Sequence, residues 1–98
     1  MCINRYITKG IKAKIPQFMQ DVLWYMFEVM EISKKDELQI FQLSPVSEAE
    51  SIKQSIVHSQ ECPTYEMKNI ITVEKPLEAK IYVINYGSCC FMMLANEY

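Results

Sequence analysis

The chain's single histidine, His58, stands in the stretch IVHSQECPTYEM (residues 56–67), with Glu61 and Cys62 within four positions of it. An imidazole beside a thiol can activate a cysteine nucleophile, and an imidazole in a ligand pocket can act as a general base. The first needs both side chains within hydrogen-bond reach. A separation of four gives that on a helix but leaves roughly 13 Å between the residues on one face of a strand. Cys62 precedes Pro63, which biases it toward extended backbone, and the β-branched lead-in Ile56-Val57 points the same way. The spacing therefore speaks against a Cys62–His58 pair. It leaves His58, Gln60 and Glu61 as a candidate ligand pocket, with His58 as its base.

A metal site built from His58, Cys62, Cys89 and Cys90 would need the last hairpin to fold beside the histidine, and the cysteines lack the paired-knuckle spacing of zinc sites. They read as small core or turn thiols, and no metal or cofactor is expected. The carboxylates Glu48, Glu50, Glu61, Glu66 and Glu97 are scattered, so no acid pair stands out, and the two glycines, Gly10 and Gly87, are too isolated for a phosphate loop.

The whole chain, 98 residues and half apolar, fits a single globular domain spanning 1–98. Ten basic and twelve acidic residues give a net charge of −2. Arg5, Lys9, Lys12 and Lys14 are the nearest approach to a basic patch and read as a solvated rim, which disfavours nucleic acid as partner. No stretch reaches the roughly 18 apolar residues of a membrane span, and the N-terminus lacks an apolar leader core. The expectation is a cytoplasmic protein without a membrane partner, its four cysteines reduced.

The elements that would position these groups follow from periodicity. Cys2 to Thr8 suggests a short strand ending in a turn at Lys9-Gly10. Ile15, Phe18, Met19, Val22, Leu23, Met26, Phe27 and Met30 fall at helical spacing, with Pro16 suited to a first turn. The helix should fade at residues 32–35 and so be roughly 27 Å long. Leu38 to Leu43 reads as a strand, and Ser47 to Gln54 as a short polar helix or ordered loop capped by Ser47. Ile56–Gln60, Met67–Val73, Lys80–Tyr86 and Cys90–Ala95 read as further strands, the last two joined by a hairpin at Tyr86-Gly87-Ser88. Phe91 to Ala95 has no polar residue and suggests a central strand covered on both faces. The fold class is thus α+β: one long amphipathic helix on a mostly antiparallel sheet of about five strands, with a second short helix as an option.

Trp24 does not fit the helix's core stripe. At 100° per residue it lies nearly opposite the stripe's centre, among Gln17, Gln20, Asp21, Glu28 and Glu31, with Tyr25 nearer the edge. Either another segment of the chain covers it, or Trp24, Tyr25, Asp21 and Glu28 form a partner-binding surface. Tryptophan and tyrosine are enriched among residues that dominate interface energetics.

The segments RYITKGI, IPQFMQDVLWYMF, ELQIFQLS, IVHSQECPTYE and AKIYVINYGSCCFMMLANEY resemble, in order and spacing over nearly the whole chain, a family of small proteins of Gram-positive bacteria catalogued as domain of unknown function 960. The resemblance implies no activity; it implies occurrence in chromosomal and in phage or plasmid neighbourhoods. Relatives look aliphatic at the position of Cys62, which argues further against a nucleophile there. The segment 85–90 departs from the family pattern, whereas Trp24, His58, Gln60, Glu61, Pro63 and Tyr65 match it. Two functions follow. The first is a non-enzymatic module, in accessory or host-modulating work for a mobile element, that binds a protein partner or itself through the helix face around Trp24. The second is a small ligand-binding domain or enzyme with its pocket at His58, Gln60 and Glu61.

Overall fold

Six strands form one mixed sheet in the computed structural model, which describes residues 3–98. In chain order the elements are β1 (Asn4–Ile7), α1 (Lys9–Lys14), α2 (Gln17–Glu28), β2 (Leu38–Glu48), β3 (Ser51–Gln60), β4 (Tyr65–Ile71), β5 (Ala79–Asn85), β6 (Cys89–Leu94) and a closing 3₁₀ turn (Ala95–Glu97). The spatial order is β1-β6-β5-β2-β3-β4. β1 runs parallel to β6, and all other neighbours are antiparallel.

Residues directly opposite one another in a sheet share a face, so the register decides what is buried. Phe41 lies opposite both His58 and Ile81, Ile81 opposite Leu94, and Val83 opposite Met92. These side chains, with Leu43 and Ile56, form one apolar face, and Met19, Leu23, Met26 and Phe27 of α2 pack onto it. Ile11 and Ile15 from α1 and its end complete the core. Fully burying one such side chain contributes about 1.5–3 kcal/mol. Among the described residues no α-helix covers the other face of the sheet, where Tyr6 and Phe91 stack with ring centroids 5.0 Å apart.

Several expectations need correction. The sheet has six strands rather than about five. The strand expected from Cys2 begins at Asn4, Cys2 itself lying outside the described residues. α2 has 12 residues and ends at Glu28 instead of reaching 32–35. Its continuation is drawn back to the sheet, because the Gln60 side chain donates to the Lys34 carbonyl and accepts from the Asp36 N–H, while Lys35 Nζ caps the Glu28 carbonyl at 3.4 Å. The second helix is Lys9–Lys14, not Ser47–Gln54. Thr8 caps α1 by accepting from the Ile11 N–H, and Glu97, from the far end of the chain, accepts from Thr8 Oγ1 and the Gly10 N–H. Ser47–Gln54 instead belongs to a continuous β2–β3 hairpin, whose two-residue turn holds Ala49 at φ 49° and Glu50 at φ 67°. β6 is an inner strand between β1 and β5, as expected; Cys90, Met92 and Leu94 are buried on the helix side, and Phe91 and Met93 are partly buried on the other, Phe91 between the rings of Tyr6 and Tyr86. Cys62 and Cys89 are free thiols.

Candidate functional site

A single helix about 10 Å across spans roughly two strands spaced 4.7–4.9 Å apart. α2 is therefore too narrow to roof six strands. α1 packs on β6 at one side, and among the described residues no helix packs comparably on β4 at the other. The consequence is an open groove of about 690 Å³ between α2 and β4. Val22, Tyr25, Met26 and Val29 form its helical wall, with Glu31 at one end; Tyr65, Met67, Asn69 and Ile71 form its floor. Alternation along β4 places these four on the helix side, since they lie opposite the inward-facing Gln60, His58, Ile56 and Gln54. Tyr25 is 67 % exposed, and Val29 and Met67 are about half exposed.

The helical wall continues toward the N-terminus of α2. Phe18, exposed, faces a second groove of about 400 Å³ beside Val73 and Leu77. Phe18, Val22, Tyr25 and Val29 sit at i, i+4, i+7 and i+11, a second apolar stripe beside the buried one. Helical spacing puts both Phe18 and Val22 on the core stripe; Val22 does pack against the core from its edge, whereas Phe18 is exposed. The signal that could have separated them was the width of the apolar arc, which exceeds what one sheet face can cover.

β4 is also the terminal strand. Among the described residues nothing pairs with its outer edge, and Glu66 to Ile70 are exposed throughout. The groove floor and a row of unpaired backbone donors and acceptors thus belong to the same seven residues.

The residues singled out on the helix part company in the structure. Trp24 is only 6 % exposed; it faces the β1 side, where the Arg5 guanidinium lies 5.1 Å from its ring centroid. Arg5 Nη2 also pairs with Glu28 Oε1 at 2.6 Å, so Trp24 and Glu28 are tied down together by one residue of β1. Asp21 is exposed and accepts from Gln17 Nε2 at 2.9 Å. Tyr25 points the other way, into the groove.

His58 and Gln60 are brought together, but inside the protein. His58 has no exposed surface; its ring stacks on Phe41 at 4.2 Å and meets the edge of Tyr65 at 5.4 Å. Gln39 Oε1 lies 2.8 Å from His58 Nε2, while Gln39 Nε2 donates to Gln60 Oε1 and the Asp36 carbonyl. With the Gln39 oxygen as acceptor, Nε2 carries the proton, and Nδ1 is left buried without a partner among the described residues. Burial first, and the positive charge of Lys35 second, pull the imidazole down to about 4, so it is neutral at physiological pH. Gln60 Nε2 reaches the carbonyls of Lys34 and Pro63. The cluster holds the 34–36 and 61–64 turns against the end of the sheet. Glu61 and Cys62 are exposed in the β3–β4 turn, and the Cys62 N–H donates to Asp36 Oδ2 at 3.3 Å. Neither wall of the large groove includes His58, Gln60 or Glu61. Among the described residues no cluster of His, Cys, Asp or Glu could hold a metal ion, and no helix is long and apolar enough to cross a membrane.

A family model described as "Staphylococcal protein of unknown function (DUF960)" matches residues 4–97. No curated protein matches the chain. A crystal structure of a protein of unknown function from Enterococcus faecalis is similar over 97 % of this chain and 90 % of its own, with a TM-score of 0.76 at 19 % identity. At that identity the likeness concerns the fold.

Proposed function

We propose, for a chain that belongs to the family of staphylococcal proteins of unknown function (DUF960), that it is a small non-enzymatic interaction module of the cytoplasm. Its working surface is the α2–β4 groove. An extended protein segment adds to the outer edge of β4 as a further strand and sets alternate apolar side chains against Tyr25, Val29 and Met67. Backbone pairing supplies affinity in this mode, and the groove supplies selectivity. One observation carries the reading: the unpaired edge and the apolar groove are formed by the same strand, so one ligand satisfies both. Trp24 and Glu28 contribute indirectly, by fixing the helix through Arg5. A pocket at His58 would need its imidazole to reach a ligand, and that ring is enclosed on all sides.

The test is selection of displayed random segments on the native protein and, in parallel, on Val29→Asp and Met67→Asp. Both positions are half exposed, so the variants should fold. The native protein should enrich segments with apolar residues at alternate positions, and each variant should weaken their binding by about tenfold or more. No enrichment, or equal binding to all three proteins, would overturn the reading.

A further inference from the structure

We infer that the segment seated on β4 is β4 of a second copy of this chain, joined across a two-fold axis so that the two six-stranded sheets become one. The inference rests on the reading of this edge and groove as an interaction surface, and adds the identity of the occupant.

Pairing of a strand with its own copy in an antiparallel sheet keeps helix-side residues opposite helix-side residues, so one residue must lie opposite itself. In the sequence YEMKNII the choice of that residue is decided by charge. Centring on Lys68 puts two ammonium groups face to face, and centring on Glu66 does the same with two carboxylates; like charges directly opposite are destabilising. Centring on Asn69 sets Lys68 against Ile70. Centring on Met67 sets Glu66 against Lys68 of the partner, and Lys68 against its Glu66, on the open face of the sheet. Both residues are exposed, and neither has an ion pair among the described residues, where the pairs are Arg5–Glu28 and Lys53–Glu48. On the helix side the same register puts Met67 opposite Met67, joining the two grooves into one apolar trough, with Tyr65 opposite Asn69.

The edge is built for this. Its register against β3 runs unbroken from Tyr65 to Ile71, without a bulge, and it contains neither proline nor a charge on the groove side. A lone lysine on an edge strand discourages pairing. Here Glu66, two positions earlier, turns that lysine into half of a self-complementary pair. The opposite edge, β1, offers only four residues and is occupied with Trp24 through Arg5.

The test uses the full chain. Sedimentation velocity from micromolar to millimolar concentration should show a monomer–dimer equilibrium. E66K and K68E should each weaken it by about tenfold or more, and E66K/K68E together should restore it. With Cys62 and Cys89 replaced by serine, M67C should form a covalent dimer under mild oxidation, because directly opposite residues bring the two Cα atoms to about 4.5–5.5 Å; I70C should not. A chain monomeric at millimolar concentration, a charge swap that fails to restore association, or a dimer in which M67C does not cross-link would each overturn the inference. Enrichment of segments on a monomeric chain would leave the module reading standing while removing the dimer.

Discussion

Replacing His58 with phenylalanine should invert its effect on stability between neutral and mildly acidic pH. The folded-state value of about 4 lies below the ordinary 6.5, so in that window the folded chain binds fewer protons than the unfolded one. Stability is therefore complete above about pH 6.5 and is lost as pH falls toward 4. The full difference corresponds to roughly 3 kcal/mol, of which about 2.5 is gone at pH 4.5. Phenylalanine keeps the stacking on Phe41 and the edge of Tyr65, and removes the buried, unpartnered Nδ1. It leaves Gln39 Oε1 without its donor, at a cost of about 1–3 kcal/mol. His58→Phe should then be about 1 kcal/mol less stable than the native protein near pH 7.5, and equal or more stable near pH 4.5. Urea unfolding followed by Trp24 fluorescence at several pH values reads this directly, and taking the difference between the two proteins cancels the titration of shared carboxylates. A gap that stays constant across the range would refute the assignment of His58 as a neutral, buried structural group.

Glu50 holds φ at 67° in a turn that favours Asn-Gly, so Glu50→Gly should raise stability by about 0.5–1 kcal/mol, and an unchanged or lower melting temperature would count against a strained turn. Arg5→Ala should uncover Trp24, shifting its emission to the red and costing about 1–2 kcal/mol from the lost ring contact and ion pair; an unmoved spectrum would show that something else covers the ring. The hydrogen bond from Thr8 Oγ1, then those from the Leu94 and Gly10 N–H groups, hold Glu97 below its ordinary value of 4.5. Its clasp between the chain ends is therefore present above that value and released as pH falls through the depressed one, which amide exchange at Gly10 and Leu94 should show in the native protein and not in Glu97→Gln.

The buried stripe of α2 and the β-rich second half were legible because their signals are local. The hairpin at Gly87 was legible for the same reason, and its φ of 92° is one that glycine takes without strain. What escaped depends on distant partners or unusual residues. Lys9-Gly10 reads as a turn; it instead opens the helix Lys9–Lys14, held by Thr8 and a glutamate 87 positions from Gly10. The Ala49-Glu50 turn lacks the residues that normally announce it. Parallel pairing of β1 with β6 links the two ends of the chain and leaves no periodic trace. At the candidate site, His58 and Gln60 were visible as an unusual pair, but only the register of β2 against β3 shows that Gln39 meets them inside the core. Trp24 stood out on the polar side of α2, and the residue that covers it, Arg5, lies on another element. Tyr25 was picked out for its chemistry; its neighbours in the groove, Val29 and Met67, come from elements whose packing the sequence does not specify.

Amide hydrogen exchange along β4 tests the central claim most directly. In the dilute chain the amides of Tyr65–Ile71 that point away from β3 should exchange quickly, since no strand among the described residues pairs with them. On adding a segment selected on the groove, or on raising the concentration of the chain itself, those alternate amides should become protected while α1 and β6 stay as they were. Binding that leaves β4 exchange unchanged and protects another part of the surface would contradict the account.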